Sequence, residues 1–269
     1  MLPTPSTSHV SFNNVYEPAE DSFLLLDTLS SSTESNFLRT RFSNSHTGQN
    51  ESTEHNLGAP LILEVGTGSG VVLAFATANA IAIFGRSDLL TLGTDINSFA
   101  CQASTKTVQT AITEPLAHLG HGKFLDIVNA DLTTPIRSGS VDVLIFNPPY
   151  VPTSELPDLT LHDTFNTISL ETSSTTFEQD SHLLALSYAG GVDGMEITNR
   201  LLEQLRGILH PERGVAYILL CAQNKPNEVK ERIKNWGQPW AVETVGYSGK
   251  KGGWERLQIL RIWSACSIR

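Results

Sequence analysis

The chain has 269 residues, 18 basic against 28 acidic side chains, a formal net charge of -10, and 40% hydrophobic residues. That length buries one sizeable core, or one core with small appendages. The acidic balance argues against a nucleic-acid partner, because phosphate binders present a basic face. No apolar run approaches the ~18 residues that cross a bilayer, so no membrane association is expected. The opening residues MLPTPSTSHV lack the basic-then-apolar order of a secretory signal. Cys101, Cys221 and Cys266 lie far apart with no CxxC, which argues against a disulfide framework and a metal site. The expected compartment is the cytosol, with nuclear access.

In chain order, the spacing of apolar residues predicts a helix over 19–29, followed by a polar stretch over 30–58. That stretch is rich in Ser, Thr, Asn and Glu and reads as a mobile inserted loop. An apolar strand over 61–65 then runs into LEVGTGSGVV (63–72) and a helix over 71–84. Gly66, Gly68 and Gly70 let the backbone turn tightly and approach a ligand without Cβ clashes. A pyrophosphate loop reads GxGxxG; here the spacing is GxGxG, with Glu64 two positions before the first glycine. That combination suits a ligand carrying an ammonium group.

The second strand, 89–94, leads to Asp95, where a strand-end carboxylate accepts from two ribose hydroxyls or caps the helix expected over 98–110. The third strand, 125–129, leads to Asp131 and Leu132. There a carboxylate accepts from an exocyclic adenine amine, and a backbone N–H donates to a ring nitrogen. A fourth strand over 141–146 ends in Asn147-Pro148-Pro149-Tyr150. The two prolines fix the backbone and contribute no N–H. The Asn147 side-chain oxygen and the Pro148 carbonyl then form a pair of acceptors that matches the two donors of a planar NH2. Tyr150 is expected to pack on that flat group or exclude water.

A second insertion covers about 153–181, with six acidic residues and no Lys or Arg. It reads either as a solvated surface loop or as a flap over the site, since it directly follows the Asn147 motif. Further helices are expected over 195–209 and 226–236, and strands over 215–221 and 257–262, the last within an antiparallel hairpin. Strands alternating with helices predict an α/β fold with a mostly parallel sheet and ligands at the strand carboxyl ends.

VYEPAEDSFLLLDTL (15–29), LEVGTGSGVV, TDIN, ADL, NPPYV and YAGGVDGMEI (188–197) together resemble the HemK-type family of protein N5-glutamine methyltransferases. They are most similar to its eukaryotic branch, which modifies the Gly-Gly-Gln loop of the class I translation termination factor. NPPY alone is shared with adenine and cytosine amino methyltransferases; the EPAED and AGGVDG segments are more specific. The resemblance implies one class I, Rossmann-like methyltransferase domain over 1–269, with a seven-stranded, mostly parallel sheet and helices on both faces. It implies S-adenosylmethionine as cofactor, held by Tyr16, Ser22, Glu64, Gly66, Gly68, Asp95, Asp131, Leu132 and Asn147. The substrate amide falls to Asn147, Pro148, Pro149 and Tyr150. The resemblance also implies a heterodimer with a small zinc-binding activator subunit. FLDIVNA (124–130), apolar on both sides and expected at the sheet edge, offers that partner a strand.

Several features carry less. His118 and His121 lack a third ligand and read as loop residues. Cys101 and Cys221 read as core residues. The segment 247–256 is Gly-rich and basic and reads as a hairpin tip, with a substrate or RNA contact as the alternative. The runner-up activity is N6-adenine methylation of DNA or RNA. Protein-lysine methylation and a non-catalytic scaffold are weaker alternatives.

Overall fold

In the computed structural model, which describes residues 2–43, 58–114, 120–168, 175–249 and 256–265, the chain forms a seven-stranded sheet of order β3-β2-β1-β4-β5-β7-β6. The strands are β1 (Leu61–Val65), β2 (Leu90–Asp95), β3 (Lys123–Asn129), β4 (Val143–Phe146), β5 (Val215–Cys221), β6 (Trp240–Tyr247) and β7 (Leu257–Ser264). β1 to β5 pair in parallel; β7 runs antiparallel to both β5 and β6. This is the class I methyltransferase sheet that the resemblance implies, with the antiparallel hairpin at one edge.

The central strands β1, β4 and β5 are buried on both faces, and strand parity divides the core. Val215, Tyr217, Leu219 and Cys221 join one apolar cluster, whereas Ala216, Ile218 and Leu220 join the other. The first cluster receives α1 (Glu20–Ser30), α2 (Ser32–Phe42), α3 (Val71–Ala78) and α4 (Ala80–Phe84). The second receives α8 (Glu196–Ile208) and α9 (Pro226–Lys234). α5 (Ser98–Thr113) packs against α3 and the edge strand β3.

Three expectations need correction. The 30–58 stretch is not a loop throughout: residues 32–42 form α2, while 44–57 lie outside the described residues. The signal was local. Ser31 accepts from the Glu34 N–H at 3.2 Å, and the S-x-x-E spacing that produces this cap is visible in the sequence. Leu38 and Phe42, one turn apart, are fully buried on the same face. The expected 71–84 helix breaks at Asn79, whose backbone leaves helical geometry and whose side chain donates to the Phe75 carbonyl at 2.9 Å. The second insertion also carries α6 (His162–Phe165) and the start of α7 (Phe177–Tyr188), with 169–174 outside the described residues.

What fixes α2 is a buried ion pair. The Arg261 guanidinium on β7 donates to both Glu34 carboxylate oxygens, at 2.8 and 2.9 Å, and Tyr217 donates its hydroxyl to Glu34 at 2.9 Å. Arg261 also lies 3.9 Å from the Phe37 ring centroid and pairs with Glu243 at 2.7 Å. Glu34 is only 1% exposed, so removing its carboxylate strands most of a buried charge. Glu34→Ala is expected to cost about 3 kcal/mol, at the low end because Glu243 remains. A urea melt checks this: the midpoint should fall with an unchanged slope. A midpoint equal to the parent's would contradict the role assigned to the pair.

Candidate active site

β1 pairs with β2 on one side and β4 on the other, with Val65 aligned to Thr94 and to Phe146. The three strands therefore end level. The glycine loop after β1, Asp95 at the end of β2 and Asn147 after β4 converge at one rim. There they line a cavity of about 290 Å³. Tyr16, Ser22, Glu64, Gly66, Gly68, Asp95, Asp131, Leu132, Asn147, Pro148, Pro149 and Tyr150 all lie on its wall. Every site residue expected from the sequence thus falls in one place.

The glycine loop is built for close approach. Gly66, Gly68 and Gly70 all have left-handed φ, at 66°, 53° and 79°. A Cβ on Gly70 would sit 2.5 Å from the Ser104 Cα of α5, so only glycine lets α3 start there. The loop is then tied down. Gly66 donates its N–H to the Thr94 carbonyl at 2.8 Å, and the Ser104 hydroxyl donates to the Gly68 carbonyl at 2.9 Å.

Two buried carboxylates stand beneath it. Glu64, 2% exposed, accepts from the Leu73 N–H at 2.8 Å. Burial pushes its carboxyl well above the usual value, against that hydrogen bond, and the nearby Asp95 adds to the rise. Asp95, 8% exposed, accepts from the Gly68 N–H at 2.8 Å and the Asn97 N–H at 2.9 Å. Burial raises its carboxyl as well, partly offset by those bonds. Asp95 does not cap α5; Asn97 does, its side chain accepting from the Phe99 N–H at 2.9 Å. Neither Glu64 nor Asp95 is ion-paired among the described residues.

On the third strand end, Asp131 is paired with Arg200 of α8, a cavity-lining cation that the sequence reading missed. Leu132 follows in left-handed geometry, with φ 52°, a strained state for a branched apolar residue.

The Asn147 motif is held from both sides. Its Nδ2 donates to Asp21 Oδ2 at 3.1 Å. Asp21, which no sequence argument singled out although it lies in the EPAED segment, is 2% exposed and also accepts from the Tyr16 hydroxyl at 3.0 Å. The Tyr150 hydroxyl lies 3.5 Å from the same oxygen. The rest of the motif rests on the AGGVDG segment: Val151 donates to the Tyr188 carbonyl and Gly190 to the Val151 carbonyl, at 3.0 and 2.9 Å. A Cβ on Gly194 would lie 2.0 Å from the Tyr150 carbonyl oxygen, so this backbone-on-backbone contact requires glycine. Buried Asn224 staples the two segments, donating to the Tyr150 carbonyl at 3.0 Å and to that of Asp193 at 2.9 Å.

One atom in this arrangement is left over. Asn147 Oδ1 is buried without a hydrogen-bond partner, the only such side-chain atom among the described cavity-lining residues. A buried acceptor without a donor costs about 1–3 kcal/mol. A ligand N–H would remove that cost.

The second insertion forms part of the wall rather than a purely solvated loop. Leu156, Pro157 and Leu159 line the cavity, as do Leu183 and Leu186 of α7. Asn166 locks the segment down, accepting from the Ser98 N–H at 2.6 Å and donating to the Ile96 carbonyl at 3.0 Å. Of the discounted features, Cys101 is half-buried, its thiol pushed up to about 12, chiefly by burial, and Cys221 is buried in β5. The raised Cys101 thiol disfavours a thiolate there. His121 contacts the Gly122 carbonyl at 2.7 Å; His118, Cys266 and residues 250–255 of the basic hairpin lie outside the described residues.

Comparison with known proteins gives this geometry its context. No family model matches the chain. The eRF1 methyltransferase catalytic subunit mtq2 of Schizosaccharomyces pombe is 34% identical over 267 residues, covering 98% of this chain and 96% of its own. Methyltransferase HEMK2 of Mus musculus is 31% identical, covering 97% and 96%. The release factor glutamine methyltransferase of Bradyrhizobium diazoefficiens is 27% identical over 171 residues, 64% of this chain and 46% of its own. With near-complete alignment above 30% identity to two methyltransferases, and a cavity assembled from the motifs that carry the resemblance, the chain belongs to the HemK-type family of S-adenosylmethionine-dependent protein glutamine methyltransferases.

Proposed function

We propose that this chain transfers a methyl group to the side-chain amide nitrogen of a glutamine in a class I translation termination factor, within the Gly-Gly-Gln loop. The observation that carries the reading is the buried Asn147 Oδ1 on the wall of the cavity, without a hydrogen-bond partner among the described residues. S-adenosylmethionine, when bound, supplies a methyl group already activated by a sulfonium. Its fit rests on residues at the glycine rim. Two buried carboxylates without ion-pair partners among the described residues, Glu64 and Asp95, suit a ligand that brings an ammonium and vicinal hydroxyls. Tyr16, Ser22, Asp131 and Leu132 complete the cofactor wall.

The nucleophile sets the demands on the protein. A primary amide nitrogen is weak because its lone pair is delocalised into the carbonyl. Asn147 Oδ1 and the Pro148 carbonyl accept its two N–H bonds, which raises electron density on nitrogen and fixes the plane of the group. Pro149 and Tyr150 close the cavity around it. Positioning and electrostatic preorganisation of this kind lower barriers by several kcal/mol. Adenine N6 shares the planar NH2, but the net charge of -10 disfavours a phosphate backbone.

The same reading includes a small zinc-binding activator as partner, seated on β3. That strand pairs with β2 and ends the sheet, and its Leu125 is 51% exposed. An apolar side chain on an open edge is the feature that strand addition covers. The second insertion reaches the strand at Asn129, where Asn166 donates to its side-chain oxygen at 3.2 Å.

Three outcomes test this. With labelled S-adenosylmethionine and the activator, label is expected on a termination factor and absent from DNA; label on adenine alone defeats the reading. Asn147→Ala should lower the rate about 100-fold or more, the usual effect of losing a preorganised hydrogen-bond partner, while cofactor still binds. The third concerns Glu64. A carboxyl raised in the fold contributes stability that is present below its ordinary value of 4.5 and lost as pH rises through the folded value. Glu64→Gln should therefore melt higher than the parent without cofactor, by a margin that widens with pH, and bind S-adenosylmethionine more weakly. Tighter binding by the Gln variant would contradict the assignment.

A further inference from the structure

Resting on that reading of Asn147, we infer that Asp21 is the positioning residue that decides which end of the Asn147 amide serves the substrate. An ionised carboxylate only accepts, whereas an amide carries an acceptor at one end and a donor at the other. Asp21 Oδ1 takes the Ser22 N–H at 2.6 Å and the Ser22 hydroxyl at 3.2 Å. Its Oδ2 takes the Tyr16 hydroxyl at 3.0 Å and Asn147 Nδ2 at 3.1 Å. With a carboxylate oxygen before it, Asn147 has to present its NH2 there. Its oxygen is thereby turned away and left as the buried acceptor without a partner among the described residues.

Without Asp21 nothing among these contacts fixes that choice. The two ends of an amide have nearly the same shape, so packing alone discriminates weakly. The flipped amide offers a donor to the substrate, and two N–H groups then face each other in a dry site. Asp21 acts through Asn147 and is separate from the cofactor carboxylates Glu64 and Asp95. A buried acid 126 residues upstream thus sets the polarity of the catalytic loop.

Asp21→Asn tests this because Ser22 dictates how the new amide sits. The Ser22 backbone N–H can only donate, so the amide oxygen of the variant must face it. The variant's NH2 then faces Asn147 and forces that side chain to flip. Tyr16 and Tyr150 can turn their hydroxyls to accept. The expected result, with the activator and a termination factor, is a folded variant whose kcat is lower by about 100-fold and whose S-adenosylmethionine affinity falls far less than its rate. The decisive measurement is the reciprocal swap. In D21N combined with N147D, the NH2 at position 21 meets a carboxylate at position 147, whose second oxygen restores the acceptor. The double variant should turn over faster than either D21N or N147D alone; in N147D two carboxylates crowd one buried site.

The inference is overturned if D21N keeps the parent kcat, if its cofactor affinity falls in step with its rate, or if the double variant is no faster than both single variants. Should D21N not fold, the comparison of N147D with the double variant decides. If the parent enzyme labels a different acceptor, the substrate reading fails, and the same variants on that acceptor still judge the role of Asp21.

Discussion

The level ending of β1, β2 and β4 is the constraint from which the site follows. Parallel pairing in the registers Val65 with Thr94 and Val65 with Phe146 delivers three loops to one rim. The glycine turn, Asp95 and Asn147 are far apart in the chain, and no local interaction relates them. Their meeting depends on hydrogen-bond register, because a shift by one residue in a strand buried on both faces exchanges every side chain between the two cores. The apolar clusters that take alternate residues of β5 are therefore also what hold the catalytic geometry.

Two sets of buried polar groups in this protein serve different purposes. Glu34 is saturated: the Arg261 guanidinium and the Tyr217 hydroxyl satisfy it, and it locks α2 to β7. Glu64 and Asp95 have hydrogen-bond donors but no cation beside them among the described residues, and Asn147 Oδ1 has no donor among them. Their remaining capacity points to ligands that the chain does not itself supply. The first set secures the fold, and the second stores unfavourable desolvation that binding relieves. Asp21 stands between them, fully occupied by donors yet leaving its neighbour Asn147 with an open acceptor.

The inserted segments illustrate why composition misleads. The 30–58 stretch is polar on average, yet Ser31 and Glu34 make a helix start, and Leu38 and Phe42 supply two buried anchors. Two well-placed apolar residues on one helix face outweigh a polar mean, since burial depends on the face and not the average. The 153–181 stretch likewise carries Leu156 and Leu159 to the cavity wall. Its acidic residues suggested solvent, and its scattered leucines had no periodicity to reveal their common direction.

By itself, the sequence determined the strand–helix alternation, the glycine turn, the acids at successive strand ends, the Asn-Pro-Pro-Tyr loop and the late hairpin. Each is a local matter of backbone permissiveness, apolar period or turn chemistry, and each is written within a few residues. Only the tertiary structure decided the rest. Asp21 touches Asn147 across 126 positions, Arg200 reaches Asp131 across 69, and Asn224 staples Tyr150 across 74. Such pairings leave no trace in composition or spacing, because the energy of a buried hydrogen bond depends on where the fold brings donor and acceptor.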